Sequence, residues 1–130
     1  MRVGTLVSVT ALVIAAALSS ARNAYAQGVK ADPALADRGK KVWQSKQCSG
    51  CHELGRRQST GPDLIGVTDR RSVEWIKKWL KDPPSMIGED STAMALKKEF
   101  NSNMPKLGIN DADATALINY LAQQTAMMKK

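Results

Sequence analysis

Apolar side chains return at helical spacing in four stretches of this chain, whereas the alternating runs of Val, Ile, Thr and Phe that mark strands are missing. The first predicted helix begins near Pro33, which suits the first helical position after Asp32, and runs through Leu35, Val42 and Trp43 towards Lys46. The second takes Ser72 as its cap, carries Val73, Trp75, Ile76, Trp79 and Leu80, and is expected to end before a Pro83-Pro84 stop. A third spans roughly Ser91 to Phe100. The fourth starts at Asn110, with Asp113 three residues on, and sets Leu117, Tyr120, Leu121 and Gln124 along one stripe. The pattern predicts an all-α fold.

Two long irregular segments interrupt these helices, Gln47 to Arg71 and Asn101 to Ile109. Loops of this length in a small domain signify function or a large ligand in the middle. A helical domain this small, with few aromatic residues, also needs help in filling its core.

The chain starts with a leader pattern. Met1 and Arg2 form a short positive end, Val3 to Leu18 is apolar and uncharged, and Ala24-Tyr25-Ala26 is a small-x-small cleavage signal. The expected division is a signal peptide over 1–26, cleaved after Ala26, and one domain over 27–130. An uncleaved anchor is the alternative, but Val3 to Leu18 is short for a membrane span of about 20 residues. Export to the periplasm is therefore expected, with no stable membrane insertion after cleavage. No repeat, low-complexity tract or internal linker divides the remainder.

The 130 residues include 19 Lys and Arg against 12 Asp and Glu, for a formal net charge of +7. Loss of Arg2 and Arg22 with the leader leaves the chain basic. A basic surface suits anionic partners. Nucleic acid is the weakest of these, because no recognised nucleic-acid motif is present.

The chemistry is concentrated in Cys48-Ser49-Gly50-Cys51-His52. Two thiols with two residues between them, followed at once by histidine, form the pattern of c-type haem attachment. Each sulfur can bond one porphyrin vinyl group, and the next side chain is then delivered under the iron. A Cys48–Cys51 disulfide is a competing reading in an oxidising compartment. A thioredoxin-like pair would need a βαβ pattern that is not visible, and with two Cys and one His a Cys/His zinc site cannot be completed. His52 is the only histidine, which excludes two histidine ligands from one chain. Methionine, lysine or an open sixth position remains. Beyond Met1 and the tail residues Met127 and Met128, the methionines are Met86, Met94 and Met104. Met94 falls inside the third predicted helix and reads as core, Met86 follows the two prolines in an expected loop, and Met104 lies in the second irregular segment with Pro105 to stiffen it. Nothing in the chain reads as a general-base pair or a nucleotide loop.

Over nearly all of residues 32 to 124 the chain resembles the small monohaem class I cytochrome c family. The likeness rests on Gly39 and Trp43, Cys48 to His52, Gly61-Pro62-Asp63-Leu64, Asn103-Met104-Pro105, and Tyr120-Leu121. The resemblance implies a small helical domain wrapped around one covalently bound haem c, with iron ligated by His52 and, as the Met-Pro motif suggests, Met104; Met86 is the rival. It also implies that the Pro62 carbonyl orients His52, that Leu64 packs on haem, and that Arg70, or its neighbour Arg71, serves a haem propionate. Trp75 and Trp79 could pack on haem or be ordinary core. Gly39 is expected to admit close crossing of the first and last helices near Tyr120.

The implied function is one-electron carriage by a monomer, with brief docking to redox proteins through acidic surfaces. Lys46, Lys106, Arg56 and Arg57 are the candidate docking charges. The alternatives are a fixed electron-relay subunit of a larger oxidoreductase, and a haem enzyme or gas sensor with an open distal site.

Overall fold

The computed structural model describes residues 28–56 and 59–130; the expected leader, its cleavage site and Arg57 lie outside the described residues. Among the described residues there are six α-helices and no strand: α1 (Pro33–Ser45), α2 (Val67–Arg70), α3 (Val73–Lys81), α4 (Pro83–Glu89), α5 (Ser91–Phe100) and α6 (Asp111–Met128). A single 3-10 turn, Cys48–Gly50, follows α1.

The helix starts follow from short polar side chains that satisfy amides otherwise left without partners. Asp32 accepts from the Leu35 amide at 3.0 Å with Pro33 in the first turn, Ser72 from Trp75 at 3.2 Å, and Asn110 from Asp113 at 2.8 Å. The prolines at 83 and 84 do end α3, since a residue before proline is pushed out of helical conformation, and Asp82 stands at φ −154°, ψ 78°. They do not begin a loop. The Asp82 carboxylate accepts from the Ser85 amide, and Pro83 and Pro84 open α4, where a missing amide hydrogen is harmless. Asp90 then caps α5. Met86, expected in a loop, is instead a helical residue only 1% exposed. Met94, expected in the core, faces outward at 48% exposure. The register of α5 buries Ala93 in its place.

The main packing is α1 across α6. Gly39 makes this crossing possible: a Cβ there would collide with the Ala116 carbonyl and stand 2.7 Å from the Tyr120 Cβ. Trp43 and Tyr120 meet beside it, with ring centroids 5.9 Å apart. The Asp32 amide donates to Asn119 Oδ1 at 2.8 Å and Arg38 pairs with Asp113 at 2.9 Å, which fixes both ends of the contact. α6 is not a single stripe. Residues 116–122 are all buried, because one side meets α1 while Leu117 and Leu121 turn towards the central cavity. Val42, Trp43, Ile109, Leu117, Tyr120 and Leu121 form the core cluster, against which Cys48, Leu64, Leu80 and Leu107 pack. The segment over residues 101–110 remains irregular, and Met104, Pro105 and Leu107 from it line the central cavity.

Candidate cofactor site

A cavity of about 430 Å³ opens between the core cluster, α3 and the two irregular segments. Cys48, Cys51 and His52 reach it from the 3-10 turn. In that turn Gln47 adopts a left-handed conformation at φ 54°, and the Cys48 carbonyl accepts from both the Cys51 and His52 amides at 3.2 and 3.0 Å. Three side chains close in sequence thus meet one space. The two thiols are free, not joined as a disulfide, and burial pushes the Cys48 thiol above its ordinary value. Among the described residues, no group of three or more His, Cys, Asp or Glu could hold a metal ion by itself.

His52 is held by the segment that follows. The Gly61 amide donates to the Cys51 carbonyl at 2.7 Å and the Leu64 amide to the Glu53 carbonyl at 3.1 Å, laying 61–64 alongside 51–53. This brings the Pro62 carbonyl within 2.9 Å of His52 Nδ1. A carbonyl only accepts, so Nδ1 carries the hydrogen and Nε2 is left with its lone pair. Burial pushes the imidazole below its ordinary value, opposed by the Pro62 bond, and the ring is neutral at pH 7. Gly61 is required by contact: a Cβ would lie 2.8 Å from His52 Cε1 and 2.9 Å from Nδ1.

Met104 reaches the same cavity from the loop before α6. Trp79 Nε1 donates to its sulfur at 3.1 Å. The loop is tied down by Lys46, whose ammonium donates to the Leu107 carbonyl at 2.9 Å, and by the Lys106–Asp82 pair at 2.9 Å. Met86 does not line the cavity; it is packed in α4. Leu64, Trp75 and Trp79 contribute apolar wall, with the two indoles stacked at 5.6 Å and 6°. Arg70 and Arg71 both border the cavity. Arg70 donates to the carbonyls of Ile65 at 2.8 Å and Asp63 at 3.4 Å, and Arg71 lies over the Trp75 ring at 5.6 Å. Arg56 is exposed.

All eight site residues expected from the sequence border this one cavity. The sequence reading missed the contact of Gly61 with His52 and the Trp79 bond to Met104. The spacing of Trp79 four residues after Trp75 hinted at a shared face, but its donation to a sulfur 25 residues away depends on the path of the loop.

A largely apolar cavity that gathers two free thiols, an imidazole with a bare Nε2 and a thioether has the donor set for a covalently held haem and suits no cluster of polar ligands. The sequence profile of the family described as Cytochrome c matches residues 36–125. The chain belongs to the cytochrome c family, and with it to proteins that carry a covalently attached haem c and its iron and that act generally in electron transfer. Among solved structures it is similar to cytochrome c from Rhodothermus marinus, with 29% identity, 78% of this chain and 85% of that chain covered, and a TM-score of 0.71. An engineered form of that protein, bound to a carbene intermediate, matches at 29% identity and a TM-score of 0.67, covering 77% of this chain and 85% of that one. The cytochrome c domain of the pp3183 protein from Pseudomonas putida matches at 36% identity and a TM-score of 0.61, over 70% of this chain and 91% of that one. No curated protein matches. Among the described residues no helix is long and apolar enough to cross a membrane.

Proposed function

We propose that this protein is a periplasmic, exported one-electron carrier that shuttles electrons between redox proteins as a monomer. The observation that carries this reading is the meeting of Cys48, Cys51, His52 and Met104 at one cavity. Cys48 and Cys51 would hold a single haem c through thioethers, and His52 Nε2 and the Met104 sulfur would serve as the protein ligands of its iron. Haem c supplies a reversible exchange between ferrous and ferric iron.

The remaining residues set the conditions of that exchange. The Pro62 carbonyl keeps His52 in the tautomer that ligates and strengthens it as a donor. Leu64 and Trp75 exclude water from the cavity wall, and Arg70, already braced on two carbonyls, retains guanidinium hydrogens for a propionate. Trp79 holds the Met104 sulfur in place. Two protein ligands leave no position for substrate, which favours carriage over catalysis or gas sensing. The net basic charge suits docking to acidic surfaces of redox partners.

Met104→Ala tests the reading. The variant should keep its haem, because both thioethers remain, but lose the sulfur-to-iron charge-transfer absorption and bind carbon monoxide rapidly when reduced. An unaltered protein that already binds carbon monoxide rapidly would transfer the preference to a haem enzyme or sensor. Stable co-purification with a partner enzyme would instead identify a fixed relay subunit.

A further inference from the structure

The bond from His52 Nδ1 to the Pro62 carbonyl fixes the imidazole only as firmly as Pro62 itself is held. Proline has no amide hydrogen with which to tie its own segment down. The side chain of the next residue supplies a tie. Asp63 Oδ1 accepts from the Ile65 amide at 2.8 Å, which closes a local turn, and from the Gly55 amide at 3.1 Å, shortly after His52 in the chain. One carboxylate oxygen thus spans the two stretches, 52–55 and 61–65, that carry the imidazole and the carbonyl to which it donates. The turn is grounded on α6. There the Gly66 amide donates to Thr125 Oγ1 at 2.8 Å, and Thr125 is buried with its own hydroxyl given to the Leu121 carbonyl at 2.8 Å. Arg70 clips the carbonyls of Asp63 and Ile65 from the other side. A series of bonds therefore leads from the last helix through Asp63 to the residues around His52. An aspartate is a costly occupant of a partly buried cavity wall unless its oxygens are used.

From these bonds we infer that Asp63 is a positioning residue for His52, which holds the Pro62 carbonyl against the ring and so sets where Nε2 points in the cavity. The inference deepens the carrier reading above, in which Nε2 is a ligand, and rests on it. Asp63 acts through the acceptor geometry of its side chain and not through its charge, because both of its donors are neutral backbone amides. Asparagine carries a carbonyl oxygen at the same distance from the backbone and can take over both bonds, whereas alanine can make neither. Serine is the intermediate case: its hydroxyl can close the local turn on Ile65, but it is one bond shorter and does not span to Gly55.

The test follows hydrogen–deuterium exchange by NMR in the reduced whole protein and in Asp63→Ala, Asp63→Ser and Asp63→Asn. Two hydrogens are read: His52 Nδ1–H, and the Leu64 amide that donates to the Glu53 carbonyl. In the alanine variant both should exchange roughly ten-fold faster, the effect of losing about one hydrogen bond's protection. The asparagine variant should stay within about two-fold of the parent, and the serine variant should fall between them at roughly three-fold. Ile118→Val is the control, a buried α6 residue outside the cavity wall whose trimming lowers overall stability and touches none of these bonds. It should leave both rates at the parental value. Unchanged rates in the alanine variant overturn the role of Asp63, as does an asparagine variant as fast as alanine, or an equal acceleration in the Ile118→Val control. If the alanine variant does not fold, the serine variant decides by the same comparison. The mass of the mature protein judges the carrier reading separately. A mass without covalently bound haem overturns that reading, while the Leu64 rates still decide whether Asp63 holds the Pro62 segment in place.

Discussion

Replacing Trp79 with phenylalanine removes one N–H and leaves most of the ring. That hydrogen is donated to the Met104 sulfur at 3.1 Å in a partly buried setting. Thioether sulfur is a weak acceptor, so the bond contributes no more than a typical neutral hydrogen bond, about 1 kcal/mol. Under the proposed ligation by Met104, donation draws electron density from the sulfur and makes it a poorer partner for ferric iron than for ferrous iron. The bond therefore favours the reduced state, and its loss should lower the midpoint potential. For one electron, a tenfold change in equilibrium is about 59 mV and about 1.4 kcal/mol. If the whole bond were felt in only one oxidation state, the drop would be about 40 mV, which sets the upper bound. A spectroelectrochemical titration of Trp79→Phe beside the parent measures this, with the sulfur-to-iron absorption as proof that Met104 is still bound. A potential that stays the same or rises, with that absorption intact, would refute the assignment of Trp79 as the residue that polarises the ligand.

Gly39→Ala should destabilise the protein although alanine is the better helix former. The new Cβ meets backbone of Ala116 that cannot swing aside, and an overpacking cost of about 1–3 kcal/mol or more exceeds the gain of about 1 kcal/mol from helix propensity. Thermal unfolding followed at the haem band should show a lower midpoint, and an unchanged or higher one would mean that α1 and α6 separate easily. Met86→Ala should cost about 2–5 kcal/mol in denaturant unfolding, as for other buried large-to-small changes, yet leave the sulfur-to-iron absorption untouched; loss of that absorption would make Met86 the ligand. The carboxyls of Asp82 and Asp90 are held below the ordinary carboxylate range, Asp82 first by Lys106 and Asp90 first by the Ala93 amide. The unfolded chain therefore takes up protons before the folded one as pH falls. Their stabilisation is present above about pH 4 and is lost below it. Asp90→Asn should flatten the acid limb of a plot of melting temperature against pH, and an identical limb would remove Asp90 from the account.

The sequence by itself determined the helical class, the starts of α1, α3, α5 and α6, and the closeness of Cys48, Cys51 and His52 along the chain. These are local properties: Asp32, Ser72 and Asn110 cap amides three residues away, and Cys48, Cys51 and His52 are close enough in the chain to be delivered by one turn. The same rule could have found α4, since Asp82 followed by Pro83 is a cap and a first-turn proline as surely as Asp32 and Pro33. Reading the two prolines only as a stop hid that helix and left Met86 in a loop it does not occupy. The Met-Pro resemblance already pointed to Met104 in the sequence, and the tertiary structure adds where each methionine lies. Met86 is sealed inside α4, Met94 faces water, and Met104 enters the cavity once Lys46 and Lys106 tie its loop back to the start and middle of the chain. The same holds for Gly61, Trp79 and the Arg71–Trp75–Trp79 series. Their partners lie on other elements, and such contacts exist only after α3, the loop and the His52 segment have closed around one cavity.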